Sequence, residues 1–365
     1  MPSNSKLDQI ISRLNVLIII ICGPVIVVIA VGGLILIGIV VCVLAVLRND
    51  PSGDKGSGLP SEFDYSLEEY QKIDPALIKY RQVAEIALKM KEPRGVAVGL
   101  FDLIYVVGDR AILVLTSQGE IVKSFELDNE PHCVAVAGKD HAVPGRIYIG
   151  MKDRVVTFDA LESLPKSWEP LDAKANLTSL ATAEQDVFAA DAGNRIVWHY
   201  DVNGKLLGRI GEKDETRNIR GFVIPSPYFD VAVAPDGLLR VVNPGAHKIE
   251  AFTFDGHLEV SWGKRGLDIA AFCGCCNPAA MAMLPDGKFV TGEKGIPRVK
   301  IYDPEGKFEC VVVGPDILAP NFSATTETRD ELRLHPVDLA TDSKSRIIVL
   351  DPNAGKVRIF EEKSK

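Results

Sequence analysis

Residues 272–313 read FCGCCNPAAMAMLPDGKFVTGEKGIPRVKIYDPEGKFECVVV, and this stretch contains one unit of a pattern that recurs along the chain. Four short runs within it are rich in apolar and β-branched residues, at 279–284, 288–292, 298–302 and 308–313. The turns Pro285-Asp286-Gly287 and Pro304-Glu305-Gly306 punctuate them, since glycine supplies the positive φ that such turns need. Because side chains in a strand repeat with a period of two, the pattern predicts an antiparallel meander of four strands.

The opening triplet of this unit, Met281-Ala282-Met283, has counterparts elsewhere in the chain. They are Val96-Ala97-Val98, Val134-Ala135-Val136, Leu180-Ala181-Thr182, Val231-Ala232-Val233 and Leu339-Ala340-Thr341. Successive triplets are 38 to 58 residues apart, near the roughly 40 residues of a propeller blade. Six such copies predict an all-β fold, a six-bladed β-propeller.

The same residues resemble a known family. The pair Trp262-Gly263, the pair Asn277-Pro278 and the run DGKFVTGEKGIPRVKIYDPEGKFE at 286–309 resemble the NHL-repeat β-propellers, over roughly residues 80–361. The resemblance implies a six-bladed fold. It leaves the activity open, because that family includes binding platforms, lyases and lactonase-like hydrolases.

The sixth copy, residues 335–362, has room for three strands only. Residues 82–89 precede the first copy and resemble the outer strands of other copies, such as residues 123–127. We therefore expect residues 82–89 to pair with the last blade and close the ring, which protects an otherwise open sheet edge. The propeller is predicted to span residues 82–365.

An uncharged apolar run occupies residues 15–47. A helix of that length exceeds the roughly 30 Å hydrocarbon core of a bilayer, so the run predicts a single transmembrane helix. It is longer than the apolar part of a signal peptide, about 7 to 15 residues, and lacks an A-x-A cleavage site. Lys6 and Arg13 favour a cytoplasmic tail at residues 1–14. The propeller is then expected on the periplasmic or extracellular side.

Two short segments lie between the predicted membrane helix and the propeller. Residues 48–61 are rich in glycine, proline and serine and predict a flexible linker. Residues 62–81 predict a short helical segment packed on the outside of the propeller. The net charge of the whole chain is −8, which argues against a nucleic-acid partner because phosphates require a basic face.

Three thiols in four residues form a C-x-C-C cluster, Cys273, Cys275 and Cys276, in the loop that opens the fifth copy. In one interpretation they ligate a metal ion such as copper or zinc, or an iron–sulfur cluster, together with an imidazole of His132 or His335. No second half of a standard zinc motif is present.

Two other interpretations of these thiols stay open. In one, a thiol attacks a substrate and a neighbouring thiol resolves the intermediate, as in C-x-x-C proteins. In the other, an oxidising compartment links two of the cysteines to each other, or one of them to Cys133 or Cys310, and staples a long loop.

The residues at the ends of second strands are expected to gather on one face around the central channel, where long loops on a rigid scaffold carry function. The candidate binding residues there are Asp109, Asp191, Arg195, His247, Glu293 and Asp351. In calcium-dependent lactonase-like relatives, such carboxylates hold a divalent ion and one acts as base. Alternatively, each acidic residue pairs with a basic residue that opens the third strand, and its role is structural.

The sequence lacks a G-x-S-x-G elbow, a Walker loop, a dinucleotide glycine motif and an H-E-x-x-H motif. We favour a non-enzymatic, membrane-anchored extracytoplasmic propeller that acts as a binding or assembly subunit for a protein partner or membrane complex. Its cysteine cluster would hold a metal or redox centre. The alternative is a metal-dependent lyase or lactonase-like enzyme with its site at the channel mouth.

Overall fold

The computed structural model describes residues 12–13, 71–159, 165–217, 219–320 and 335–364. The chain divides into two compact units, Met1–Tyr65 and Ser66–Lys365. No helix among the described residues is long and apolar enough to cross a bilayer. The predicted transmembrane helix at 15–47 and the linker at 48–61 lie outside the described residues, as does the tail at 1–14 apart from Ser12 and Arg13.

Six antiparallel sheets of four strands form the second unit, and the predicted six-bladed propeller is confirmed. Blade 1 consists of β2 (Pro93–Val98), β3 (Ile104–Gly108), β4 (Ala111–Leu115) and β5 (Ile121–Glu126). Blade 2 consists of β6 (Cys133–Val136), β7 (Ile147–Gly150), β8 (Val155–Phe158) and β9 (Lys166–Ser167). Blade 3 consists of β10 (Leu177–Thr182), β11 (Asp186–Asp191), β12 (Ile196–Asp201) and β13 (Leu206–Ile210).

The remaining blades follow the same plan. Blade 4 consists of β14 (Val231–Val233), β15 (Leu239–Asn243), β16 (Lys248–Phe252) and β17 (Leu258–Trp262). Blade 5 consists of β18 (Ala280–Met283), β19 (Phe289–Glu293), β20 (Arg298–Tyr302) and β21 (Phe308–Val313). Blade 6 consists of β22 (Asp338–Thr341), β23 (Ile347–Asp351), β24 (Lys356–Glu362) and β1 (Tyr80–Ala87). Short helical turns occur at Pro75–Leu77, Leu100–Asp102, Pro244–Ala246 and Pro315–Leu318.

The first strands of the blades are neighbours in the order β2, β6, β10, β14, β18 and β22, and β22 returns to β2. Apolar side chains pack between each pair of adjacent blades. Between blades 5 and 6, for example, Val290 and Ile301 share a buried cluster with Ile347 and Val349. Because both faces of a blade are covered in this way, inner strands such as β19 are buried at every position and the alternation of polar and apolar residues is lost there.

The ring is closed by β1, which pairs antiparallel with β24. The register runs from Tyr80 opposite Glu362 to Ala87 opposite Lys356. This strand overlaps the segment 82–89 that the sequence predicts for the role, and begins and ends two residues earlier. Blade 6 therefore contains one strand from before blade 1 and three from near the end of the chain.

The predicted helical segment at 62–81 is described only from residue 71 onward. A single helical turn spans Pro75–Leu77, with the Asp74 carboxylate accepting a hydrogen bond from the Ala76 N–H at 2.9 Å. The Lys79 N–H donates to the Val311 carbonyl at 3.2 Å. The described part of this segment thus runs along the outer strand of blade 5 and turns into a strand at Tyr80.

Candidate functional site

A cavity of about 480 Å³ opens at the mouth of the central channel. Its lining comes from the segments that lead into the first strands of all six blades. These are Lys91 to Arg94, His132, Asn176 to Thr178, Pro227 to Asp230, Ala279 and Ala280, and His335 to Asp338, with Pro352 from the last loop. Residues distant in sequence therefore meet at one site because the blades are arranged around a common axis.

Two predicted residues, His132 and His335, line this cavity together. His335 is exposed. The Nδ1 atom of His132 lies 3.2 Å from the Leu177 carbonyl oxygen. Since a carbonyl only accepts, Nδ1 carries the proton and Nε2 keeps its lone pair. Burial, helped by the charge of Arg94, lowers the pKa of His132, so its imidazole is neutral at neutral pH and offers a hydrogen-bond acceptor.

Two carboxylates that the sequence reasoning missed, Asp230 and Asp338, also line the cavity. Asp230 accepts hydrogen bonds from the Ser179 hydroxyl and from the Met281 N–H at 2.6 Å. Asp338 accepts one from the Val96 N–H at 2.7 Å. These bonds connect neighbouring blades, because each donor belongs to the blade before or after the carboxylate.

The two carboxylates interact electrostatically across the channel. Burial raises the pKa of Asp230. Burial, and then the charge of Asp230, raises the pKa of Asp338. Burial also raises the pKa of the Cys133 thiol, and the charges of both carboxylates add to that effect. The channel therefore concentrates negative potential, and the pair holds a proton more tightly than ordinary carboxylates do.

A sequence signal for Asp230 and Asp338 exists. Each stands immediately before the first residue of a repeated apolar triplet, Val231 and Leu339. The equivalent positions in the other copies are Gly95, Cys133, Ser179 and Ala280. Alignment of the six copies at this position would have picked out the two acidic residues among small ones.

The predicted binding carboxylates Asp109 and Asp191 hold the backbone of this face. Asp109 accepts hydrogen bonds from the N–H groups of Lys91 at 2.6 Å and Glu92 at 2.8 Å. Asp191 is buried and accepts one from the N–H of Asn176 at 2.9 Å. Both side chains therefore hold the backbone of segments that line the cavity, and neither side chain lines the cavity itself.

Glu293 and Asp351 are buried in ion pairs. Glu293 contacts Arg298, which opens the third strand of its blade, and lies 3.1 Å from the ammonium of Lys300. Asp351 lies 3.1 Å from Arg358. Glu293 therefore pairs with the basic residue that opens its third strand, as the structural alternative expects. Asp351 pairs instead with Arg358 inside β24, because Lys356, which opens that strand, contacts Glu85.

The last two predicted binding residues lie away from the cavity lining. His247 is buried, and its Nε2 lies 2.8 Å from the Gly274 carbonyl oxygen. Arg195 is exposed and lines a separate surface groove with Trp198 and Arg209. His247 therefore positions the cysteine-bearing loop, which begins after β17.

Within the C-x-C-C cluster, Cys275 and Cys276 contact each other through their sulfur atoms. The Sγ atoms of Cys275 and Cys276 are 3.0 Å apart. Among the described residues, no group of three or more His, Cys, Asp or Glu side chains is placed to hold a metal ion. The cysteines of the described part are free thiols; they are Cys133, Cys273, Cys275, Cys276 and Cys310. The predicted metal ligands therefore fall into two places, the channel mouth and the loop before blade 5.

The raised pKa of Asp338 predicts a stability that depends on pH. The folded state binds this proton more tightly than the unfolded state, so stability falls as pH rises from about 4 toward and beyond neutrality. Asp338→Asn removes the charge and keeps an acceptor for Val96. We expect the variant to be more stable than the unchanged chain by about 1 kcal/mol or more at pH 8, with no gain at pH 4.5.

Urea unfolding at the two pH values measures this difference. The control is Asp286→Asn in an exposed turn, which should change stability little at either pH. Equal effects of Asp338→Asn at both pH values would contradict the prediction.

Comparison with known proteins identifies the fold. No protein-family model and no curated protein sequence matches this chain significantly. Solved structures do match. Selenomethionine-substituted virginiamycin B lyase from Staphylococcus aureus gives a TM-score of 0.51 at 13% identity, over 78% of this chain and 100% of the lyase chain.

Two further structures give similar results. A structural genomics protein of unknown function from Bacteroides thetaiotaomicron has a TM-score of 0.54 at 14% identity, covering 78% of this chain and 72% of its own. A catalytically inactive histidine-to-alanine variant of the Staphylococcus aureus lyase with quinupristin has a TM-score of 0.51 at 12% identity, covering 78% and 100%. At such identities the likeness shows the fold: the chain contains a six-bladed β-propeller that resembles virginiamycin B lyase.

Proposed function

We propose that this chain is a membrane-anchored, extracytoplasmic binding subunit whose channel-mouth cavity takes up a small polar molecule or a polar group of a partner protein. The observation that carries the proposal is the cavity itself, which all six blades line. Its volume of about 480 Å³ lies in the range of roughly 300 to 1,000 Å³ that is typical of ligand sites.

The chemistry of the lining favours a ligand that donates hydrogen bonds. Asp230 and Asp338 place acceptors in the cavity, and Nε2 of the neutral His132 adds another. Two cations line the cavity: Arg94 is paired with Glu92 at 2.9 Å and with Glu130, whereas Lys91 is exposed to solvent. Because its carboxylates are buried in the lining while its two cations are either paired or exposed to solvent, the cavity favours amines and hydroxyl-rich molecules over anions.

The membrane part of the proposal rests on the apolar run at 15–47 and on the basic residues before it. A membrane tether of this kind would raise the effective concentration of the propeller for partner proteins in the same membrane.

The experiment is a thermal-shift screen of the purified full chain against a panel of small amines, amino sugars and polyols. A ligand at one hundred times its Kd stabilises the folded state by about 2.7 kcal/mol. We expect stabilising compounds to lose their effect in Tyr228→Ala and His335→Ala, two variants of the cavity lining. They should keep it in His257→Ala, an exposed histidine in a distant turn. Stabilisation that is insensitive to both cavity variants would refute the proposal.

A second candidate is a lyase-type enzyme that uses the same cavity. Two carboxylates of raised pKa can serve as a general acid and base, and two imidazoles line the same cavity. The fold likeness to virginiamycin B lyase supports this candidate, since a histidine-to-alanine variant of that lyase is catalytically inactive. Turnover of quinupristin that is lost in Asp338→Asn would favour the enzyme; no turnover, together with cavity-dependent binding, would favour the binding subunit.

A further inference from the structure

We propose that Cys275 and Cys276 form a redox-active dithiol that exchanges with disulfides at the loop before blade 5. This site lies outside the channel-mouth lining, so the inference goes beyond the proposed function. It rests on three observations: the hydrogen bonds that fix the loop, the short distance and unequal exposure of the two thiols, and the positive charge of Lys294 near the buried thiol of Cys276.

The loop that carries the thiols is fixed on both sides of Cys275. On one side, His247 Nε2 contacts the Gly274 carbonyl at 2.8 Å. On the other, the Asn277 amide donates to the Lys294 carbonyl at 3.0 Å and accepts from the Lys294 N–H at 2.9 Å. A dithiol on such a loop has a defined geometry, as a reactive site requires.

A buried lysine holds the part of the loop that precedes the thiols. The Lys300 ammonium donates to the carbonyl oxygens of Ile269 at 3.0 Å and Ala271 at 2.8 Å. The Tyr302 hydroxyl donates to the carbonyl of Ala270, between them, at 3.3 Å. Third-strand residues of blade 5 thereby set the path of the chain toward the thiols.

The two sulfur atoms are close together but differ in access to solvent. Their separation is 3.0 Å. Cys275 is exposed, whereas Cys276 has only 1% of its surface exposed. An external disulfide can therefore reach Cys275 directly, while Cys276 can reach only the sulfur beside it.

The buried thiol lies in an environment that favours its thiolate. The Ser226 hydroxyl donates to Cys276 Sγ at 3.2 Å and accepts from the Lys294 ammonium at 2.9 Å. Burial opposes ionisation, but hydrogen bonds from Cys275, Lys294 and Ser226 outweigh it and hold the pKa of Cys276 below the usual value. The hydrogen bond to Cys276 raises the pKa of Cys275. When the pair loses one proton, these hydrogen bonds favour the thiolate at Cys276, and the remaining proton stays on Cys275.

A disulfide between the adjacent residues Cys275 and Cys276 is better suited to a reversible redox reaction than to a structural cross-link. Consecutive Cα atoms are about 3.8 Å apart across a trans peptide, less than the roughly 4.4 to 6.8 Å usual for disulfides. Such strained disulfides have more oxidising potentials and are readily reduced. A bond between Cys275 and Cys276 also joins no distant parts of the chain, so it would add little stability by restricting the unfolded state.

The exchange proceeds in two balanced steps. The Cys275 sulfur attacks a disulfide RSSR, forms a mixed disulfide and expels RS⁻, while the proton of Cys275 passes to Cys276. The expelled RS⁻ then takes that proton, and the Cys276 thiolate attacks the Cys275 sulfur and expels the second RS⁻. The dithiol loses two electrons, and RSSR is reduced to one RSH and one RS⁻. The reverse direction would oxidise a substrate dithiol.

The test uses an aromatic disulfide, 5,5′-dithiobis(2-nitrobenzoic acid), with the full chain in the folded state. All proteins carry Cys273→Ser, which removes the third nearby thiol and keeps the backbone carbonyl at that position. We expect two equivalents of the coloured thiol from this site. The peptide that contains Cys275 and Cys276 should lack two hydrogen atoms and carry no adduct.

Single variants separate the roles. Cys276→Ser should release one equivalent and leave a stable adduct on Cys275. Cys275→Ser should lose the fast phase because Cys276 is buried. Lys294→Met should slow the exchange at pH 7 at least about threefold, because it removes the positive charge that stabilises the Cys276 thiolate. The exposed Lys264→Met serves as its control and should react at the original rate.

Protection of Cys133 and Cys310, which are buried, reports that each variant is folded. In folded protein, three results would overturn the proposal: no reaction at either thiol, a lasting adduct on Cys275 while Cys276 is present, or equally fast reaction of Cys275→Ser.

Discussion

Ile86→Asp is expected to lower the free energy of unfolding by about 4 kcal/mol or more and to release β1 from blade 6. Ile86 is 7% exposed and shares a buried cluster with Val357 and Ile359 of β24. Loss of a buried isoleucine costs about 1.5 to 3 kcal/mol, and an unpaired buried carboxylate adds several kcal/mol. Urea unfolding measures the loss, and hydrogen exchange of the β24 amides should accelerate.

The matched control is Ile121→Asp on β5. Ile121 lies on the outer strand of blade 1 and is 59% exposed, so the same substitution should change stability by about 0.5 kcal/mol or less. If both variants lost equal stability, β1 would not be the element that holds the ring closed.

Glu293→Gln is the second substitution with a large expected effect, a loss of about 3 to 5 kcal/mol. Glu293 is 1% exposed and pairs with Arg298 and Lys300, which are themselves buried. Without the carboxylate, two cations remain in the interior with no counter-charge. Urea unfolding at pH 7 measures the loss.

The loss should shrink as pH rises, because Lys300 can give up its proton. Burial lowers the pKa of Lys300 to about 8, and removing Glu293 lowers it further. A lysine with a depressed folded pKa makes the folded state more stable as pH rises from that value toward about 10.4. The deficit of Glu293→Gln should therefore be smaller at pH 9.5 than at pH 7.

The control is Glu309→Gln, whose carboxylate lies 3.1 Å from Lys288 on the protein surface. An exposed pair of this kind contributes about 0 to 1 kcal/mol. A loss of similar size in both variants, or one that does not change with pH, would contradict the role assigned to Glu293.

The fold was readable from the sequence because its signals are local. The apolar triplets repeat in all six copies and every triplet marks a first strand, while turn glycines such as Gly204 and Gly287 recur in several copies. The missing outer strand of the sixth copy pointed to residues 82–89, close to the observed β1. The inner strands of each blade are harder to predict from the sequence, since burial on both faces removes the alternation of polar and apolar residues that distinguishes strands.

The site was predictable only in part, because its residues meet through the ring and not through local spacing. His132 and His335 stand at equivalent places in two copies, and they line one cavity. Asp109 and Asp191 were expected on the same face, but their hydrogen bonds fix the backbone behind it. Asp230 was not predicted, because the copies were aligned at their apolar triplets and the residue before each triplet was not compared.

The neighbours of the cysteines could not be predicted, since the loop between β17 and β18 follows no repeat. Contact of Cys276 with Ser226 and Lys294 joins loops of two blades, 50 residues apart in one case. The sequence shows three thiols and leaves metal binding, redox chemistry and stapling open. The contacts of Lys294 in the structure favour redox chemistry.

The pairing of β1 with β24 has a consequence for synthesis on the ribosome. β1 ends at Ala87 and β24 begins at Lys356. At a translation rate of about 5 to 20 residues per second, β1 is therefore synthesised roughly 13 to 54 s before its partner strand. Throughout that interval the nascent chain carries an unpaired strand with apolar residues such as Ile86, beside blades that have already formed. Chaperones that mask such edges should associate with the emerging chain until its last blade is complete.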